Sequence, residues 1–251
     1  MPEEQPIRIH CFAHAGAGVS SFRPWTAHLG PGAETVGHLL PGREHRRREP
    51  RITSREGLLA ELMPRFAADG DVPYVFYGHS LGALVAYTVT RALHEAGLPG
   101  PALLALGASP PPDAPAGLSD AGRASDEDLL RLLDRMGAVP EGARPGGVWH
   151  RSVLPVLRDD LLLAHDLRAA ARRPSPAGPL GVPVLAVAGQ ADPVAGPEAL
   201  AGWREWTTGP FTLRTVRGDH FFLRGHDLPG LLGRASRVVA RLAPRRVPAG
   251  V

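Results

Sequence analysis

The chain has no lysine: all 28 of its cationic side chains are arginine. With abundant alanine, glycine and proline, that bias reads as the codon composition of a GC-rich genome rather than as a functional signal. Cysteine is nearly absent too. The single thiol, Cys11, excludes an intrachain disulfide and any metal cluster built on thiolates. No apolar run is long enough to span a membrane. The first six residues, Met1 to Pro6, are acidic and polar, without the basic and apolar regions of a secretory signal. These absences lead to the expectation of a cytosolic protein. Net charge is only +3, yet arginine keeps the isoelectric point near 9.7. A basic surface is compatible with an acidic partner. No aromatic-basic motif or nucleic-acid module accompanies it, so nucleic-acid binding is not expected. At 251 residues the chain suits one α/β domain with a full core and an excavated pocket.

What is present centres on Tyr74 to Tyr87. A continuous apolar run turns through Gly78-His79-Ser80-Leu81-Gly82 and continues with helical spacing. Strand, tight turn, helix, with a serine at the apex, is the context of a nucleophile elbow. The chemistry needs small residues two before and two after the serine, because strand and helix pass closely there. With ten serines and thirty glycines in the chain, the bare pattern is weak and needs support from elsewhere.

Six strand candidates alternate with helices: Ile7–Ala13, Glu34–Leu40, the elbow strand, Ala102–Ala108, Val182–Ala188 and Phe211–Val216. Helices are expected from about Ser20 (Phe22, Trp25, Leu29), after a Thr53 or Ser54 cap, from the elbow to Ala96, over Pro197–Trp206 and over Leu228–Leu242. Between about 117 and 179 the alternation stops. Ser125 opens one amphipathic helix and Val148–Ala171 reads as another, a helical insertion larger than an ordinary crossover. The pattern implies a single domain over 1–251, with a mostly parallel sheet covered on both faces. Sites in such sheets gather at the carboxyl ends of the strands.

A serine needs a base, and the base an orienting acid. Asp192 follows the strand Val182–Ala188, and His220 follows Phe211–Val216, so serine, acid and histidine occur in the order this fold class uses. Ser80 is the candidate nucleophile, His220 the base and Asp192 the acid. Leu81 N–H, at the helix start, is one candidate oxyanion donor. The other belongs in the small-residue loop His14-Ala15-Gly16-Ala17-Gly18: Ala15, with Gly16 next. Asp113, after an earlier strand, is the alternative acid; Asp219 adjoins His220 but should point away. His79 would line the site or pack, and His14 would hold its loop by a hydrogen bond. His150, His165 and His226 read as exposed or lid residues, and no histidine-carboxylate spacing matches a metal site. The arginine-rich loop 43–51 is either solvated or a receiver of an acidic partner or phosphate. The leucine-rich insertion reads as core, as a lid over an acyl chain, or as both.

Six stretches carry a resemblance: Phe12-Ala13-His14-Ala15-Gly16 with Phe22-Arg23-Pro24-Trp25; Leu40-Pro41-Gly42-Arg43-Glu44; Gly78 to Ala83; Leu154 to Asp160; Gly189-Gln190-Ala191-Asp192-Pro193; and Gly218-Asp219-His220-Phe221-Phe222-Leu223. Together they resemble the stand-alone type II thioesterases that serve polyketide and nonribosomal peptide synthases. The resemblance implies an α/β-hydrolase fold with a helical lid. It implies hydrolysis of acyl thioesters from the phosphopantetheine arm of acyl or peptidyl carrier proteins, with no cofactor of the enzyme's own. It also implies Ser80, Asp192 and His220 as nucleophile, acid and base. Ala17-Gly18 stands where the family more often has Gly-Ser, beside the second oxyanion donor. A carboxylesterase or lipase of the same fold, or a non-catalytic hydrolase-fold binding protein, is the alternative. A cyclising terminal domain is not expected, since such domains follow a carrier domain and six residues precede the first strand.

Overall fold

The computed structural model describes residues 6–67, 72–115, 124–139 and 146–242. Six strands, β1 (Ile7–Phe12), β2 (Ala33–Gly37), β3 (Tyr74–His79), β4 (Leu103–Gly107), β5 (Val184–Gly189) and β6 (Phe211–Val216), form one sheet. Its order is β2-β1-β3-β4-β5-β6 and every neighbouring pair is parallel. β3 is buried along its whole length, which is why its sequence is a continuous apolar run rather than an alternating one. β2 and β6, at the edges, are only partly covered.

Helices α1 (Arg55–Ala67), α2 (Leu81–Glu95) and α5 (Pro197–Ala201) lie in crossovers, α3 (Asp126–Arg135) and α4 (Val148–Ala171) in the insertion between β4 and β5, and α6 (Asp227–Leu242) follows β6. Parallel strands need such crossovers, and the helices bury both sheet faces. One core layer packs α1, α2 and α4 against Phe76, Leu104 and Leu106; the other packs Trp25, Tyr77, Val187 and α6. Residues 81–93 of α2 are all buried, because the sheet lies under it and α1 and α4 lie over it.

The boundaries differ from the sequence pattern in instructive places. The helix expected from Ser20 is a 3₁₀ helix, Val19–Ala27, with Pro24 inside it. The second strand stops at Gly37 instead of reaching Leu40. Ser54 caps α1 by accepting from Gly57 N at 3.2 Å, and Ser125 caps α3 by accepting from Asp128 N at 3.1 Å. Two stretches of the expected insertion (about 117–179) lie outside the described residues: its start, up to 123, and 140–145, between α3 and α4. No helix among the described residues is long and apolar enough to cross a membrane.

Sheet order reverses direction between β1 and β3: the chain leaves β1 for β2 on one side, then returns to place β3 on the other. A crevice opens at such a switch point, outside the carboxyl ends of the strands. The loop after β1 and the turn after β3 both emerge there.

Candidate active site

Ser80 sits at φ 55°, ψ −115°, between β3 and α2. A non-glycine residue in that region is strained, and such strain is held only where the surroundings overdetermine it. Here the glycines do so. A Cβ on Gly78 would lie 1.9 Å from the Gly82 carbonyl oxygen, and one on Gly82 would lie 2.0 Å from that of Phe12. The second contact carries more information. It presses the end of β1 against the start of α2, so the loop after β1 is forced over the serine. Ser80 N–H donates to Gly107 O at 2.8 Å, tying the turn to β4 as well.

His220 stands in the turn after β6, 1% exposed. Its Nδ1 lies 3.1 Å from Asp192 Oδ1 and 3.0 Å from Oδ2. A carboxylate only accepts, so Nδ1 carries the hydrogen and Nε2 keeps a lone pair. Asp192 Oδ1 also accepts Val194 N–H at 2.8 Å and Ala195 N–H at 3.0 Å. Burial pushes the Asp192 carboxyl up, but His220 and the two backbone donors outweigh it and hold the carboxyl below its usual range. Asp192 is therefore an ionised, fully hydrogen-bonded partner of His220.

Two buried N–H groups fix the backbone around His220. Trp25 Nε1–H donates to Leu223 O at 2.9 Å. His79, fully buried, places Nε2 2.8 Å from His220 O and Nδ1 2.7 Å from the Tyr77 hydroxyl. The carbonyl can only accept, so Nε2 is the protonated nitrogen and Tyr77 donates to Nδ1. Burial, then the neighbouring His220, lowers the His79 pKa well below its ordinary value. His79 is a neutral brace, not a base.

The competing acids are placed elsewhere. Asp113 is exposed and accepts Trp206 Nε1–H at 3.1 Å. Asp219 turns back to accept Phe221 N–H at 2.7 Å. His14 Nδ1 lies 3.0 Å from Ala15 O, as a loop-holding residue should. Burial, against a raising effect of that hydrogen bond, lowers its pKa to about 4. His226 stacks on His28 at 4.0 Å, and His165 is exposed on α4. His150 accepts from Gly146 N at 2.5 Å.

The two oxyanion candidates in the first loop differ in what their N–H groups meet. Gly16 N–H is spent on Asp160 Oδ2 at 2.7 Å. Ala15 N–H makes no hydrogen bond among the described residues. Leu81, first residue of α2, has an N–H with no partner within its own helix, as every helix start does. Both residues line one cavity of about 280 Å³ together with Ser80 and His220. Its far wall is apolar: Leu84, Met136, Trp149, Val153, Leu157 and Leu161, the last four from α4. α4 therefore supplies both a cavity wall, through Trp149, Val153, Leu157 and Leu161, and core packing with α2, through Leu163, Leu167 and Ala171.

Within the arginine-rich loop, Arg43, Arg46 and Arg51 are engaged by carboxylates of the chain itself, while Arg47 and Arg48 are exposed. Arg43 pairs with Asp160 at 2.7 Å while 8% exposed. Arg51 pairs with Asp159 at 2.5 Å, and Arg46 with Glu49 and Glu61. Asp166 accepts Arg55 N–H at 2.6 Å, at the start of α1. Carboxylates on α4 thus clamp the segment between β2 and α1. Sequence reasoning assigned no role to Asp160. The available signal is its place between Leu157 and Leu161, one turn apart on the buried stripe of α4. An aspartate there must meet a buried donor.

The thioesterase domain family matches residues 7–237 of the chain. The probable cadicidin biosynthesis thioesterase of Streptomyces griseus is 32% identical over 225 residues, covering 89% of this chain and 60% of that protein. Thioesterase PikA5 of Streptomyces venezuelae is 34% identical over 221 residues, covering 86% of this chain and 75% of that one. Among solved structures, RedJ, a thioesterase from the prodiginine biosynthetic pathway in Streptomyces coelicolor, is 34% identical. It superimposes with a TM-score of 0.76 over 97% of this chain and 91% of that one.

Proposed function

Because the chain belongs to the thioesterase domain family, we propose that it hydrolyses acyl thioesters borne on the phosphopantetheine arm of carrier proteins, for a polyketide or nonribosomal peptide synthase. The observation that carries this reading is a strained Ser80 in one cavity with a His220 held by ionised Asp192, opposite an apolar wall. The biosynthetic roles named for the relatives support the carrier-bound substrate.

In this reading His220 Nε2 takes the Ser80 hydroxyl proton as Oγ attacks the thioester carbonyl. Asp192 keeps the imidazole in the required tautomer and balances the cation it becomes. The oxyanion gathers at Leu81 and Ala15 N–H, at the positive end of α2. Collapse expels the pantetheine thiol with the proton from His220, leaving an acyl-serine. Water, activated by the same histidine, releases the acid. The apolar wall from α4 takes the acyl chain, each buried methylene contributing about 0.8 kcal/mol.

Short acyl groups presented on a carrier protein, on coenzyme A and as simple oxygen esters test the reading side by side. Carrier-bound thioesters should give the highest kcat/KM, and Ser80→Ala should lower it by at least ~10⁴-fold with the fold intact. A clear preference for oxygen esters would instead mark a carboxylesterase. Near wild-type hydrolysis by Ser80→Ala would sink the serine mechanism.

A further inference from the structure

Three segments distant in sequence meet beneath the loop after β1. The Arg43 guanidinium grips both oxygens of Asp160: Nη2 to Oδ1 at 2.7 Å and Nη1 to Oδ2 at 2.9 Å. Nη1 also donates to the Ala17 carbonyl at 3.0 Å. Asp160 Oδ2 accepts the Gly16 N–H at 2.7 Å, and Gly16 is at φ +78°. Asp160 is 0% exposed. One carboxylate oxygen therefore holds Gly16 by its N–H while the counterion holds Ala17 by its carbonyl. The next residue back is Ala15, whose N–H is uncommitted among the described residues and which lines the cavity with Ser80 and Leu81.

Short, charge-assisted bonds out of reach of water set a backbone orientation tightly. A buried ion pair adds little stability over apolar packing of the same volume, so a gain in precision is a better reason for one here. We infer that Asp160, with Arg43 as its counterion, is a positioning residue for the oxyanion site. It turns the peptide between His14 and Ala15 so that the Ala15 N–H faces the reacting carbonyl. Asp160 belongs to α4, the helix that also offers Leu157 and Leu161 to the cavity. The helix that contacts the acyl chain thus also sets the donor for the carbonyl at its end. The inference rests on the proposed roles of Ser80 and Ala15, not on the identity of the substrate.

Inactivation by a fluorophosphonate tests it, because that reaction needs the serine, the histidine and the oxyanion donors but no thioester or carrier protein. Asp160→Asn should lower kinact by ~10- to 100-fold, at or below the lower end of the ~10²–10³ that removing an oxyanion donor outright costs, while KI stays within about threefold. If Asp160→Asn fails to fold, the double variant R43L/D160A removes both charges together and leaves no unpaired buried ion. It should show the same loss in kinact with a native near-ultraviolet circular dichroism spectrum. A folded variant of either kind with kinact unchanged overturns the inference, and so does a loss confined to KI, which would mark a pocket-wall role. Wild-type protein labelled by the probe yet inactive on every thioester would refute the substrate reading alone. Wild-type protein inert to the probe would refute the serine reading and this inference together.

Discussion

Asp192→Asn is the substitution whose consequence follows most directly from the geometry. Oδ1 accepts from two backbone donors, Val194 N at 2.8 Å and Ala195 N at 3.0 Å, which occupy its two lone pairs, and lies 3.1 Å from His220 Nδ1, while Oδ2 lies 3.0 Å from the same Nδ1 and has no other partner among the described residues. An asparagine has one oxygen to share between these two sides. If its NH₂ turned toward Val194 and Ala195, two buried donor pairs would oppose each other, at about 1–3 kcal/mol for each group left unsatisfied. The oxygen therefore stays with the backbone, and the NH₂ points at His220. A donor there repels Nδ1–H, so the imidazole moves its proton to Nε2. That nitrogen can then no longer accept from Ser80. The negative charge that balances the imidazolium is lost in the same step. Comparable loss of tautomer control costs ~10⁴ in kcat, or about 5.5 kcal/mol of transition-state stabilisation. The assay is kcat/KM on an acyl thioester at about pH 7, where the ordinary carboxylate is ionised and Asp192, held lower still, is more so. Asp113→Asn is the matched control. It alters only one surface hydrogen bond, to Trp206, and should change kcat/KM by less than about twofold. A folded Asp192→Asn enzyme that keeps a tenth of wild-type activity, or the reverse ranking of the two variants, would refute this reasoning.

Two further outcomes concern stability. Gly82→Ala places a methyl 2.0 Å from the Phe12 carbonyl oxygen, a backbone atom that has nowhere to go. The expected loss is at or above the upper end of the usual overpacking range, about 3 kcal/mol, read as a lower urea midpoint; an unchanged midpoint would contradict the close approach of β1 and α2. The second outcome is pH dependence. His38, stacked on His10 and buried, has its pKa lowered to about 3, chiefly by burial and then by His10. The unfolded chain binds that proton near pH 6.5 and the folded chain does not. Stability is thus full above about pH 6.5 and falls as pH drops toward 3, by up to ~1.4 kcal/mol per unit from this group. His38→Gln should flatten that slope in pH-dependent urea titrations, and an unaltered slope would show that His38 does not contribute.

The sequence by itself determined the alternation of six strands with helices, because apolar periodicity and turn residues are local properties. It also determined the order Ser80, Asp192, His220, since each lies just past a strand and strand ends are visible in the pattern. The Gly-x-Ser-x-Gly spacing said that something must pass close to the elbow. Only the tertiary structure decided what: at Gly82 it is the end of β1, at Phe12, seventy positions earlier. It alone showed that the Gly16 N–H is engaged, because its acceptor, Asp160, comes from 144 positions further along. It alone turned Arg43 and Arg51 from candidate anion receivers into counterions of α4. Periodicity reports which face of an element is buried. Where a charged residue sits on a buried face, the identity of its partner is a matter of which distant segments the sheet order brings together.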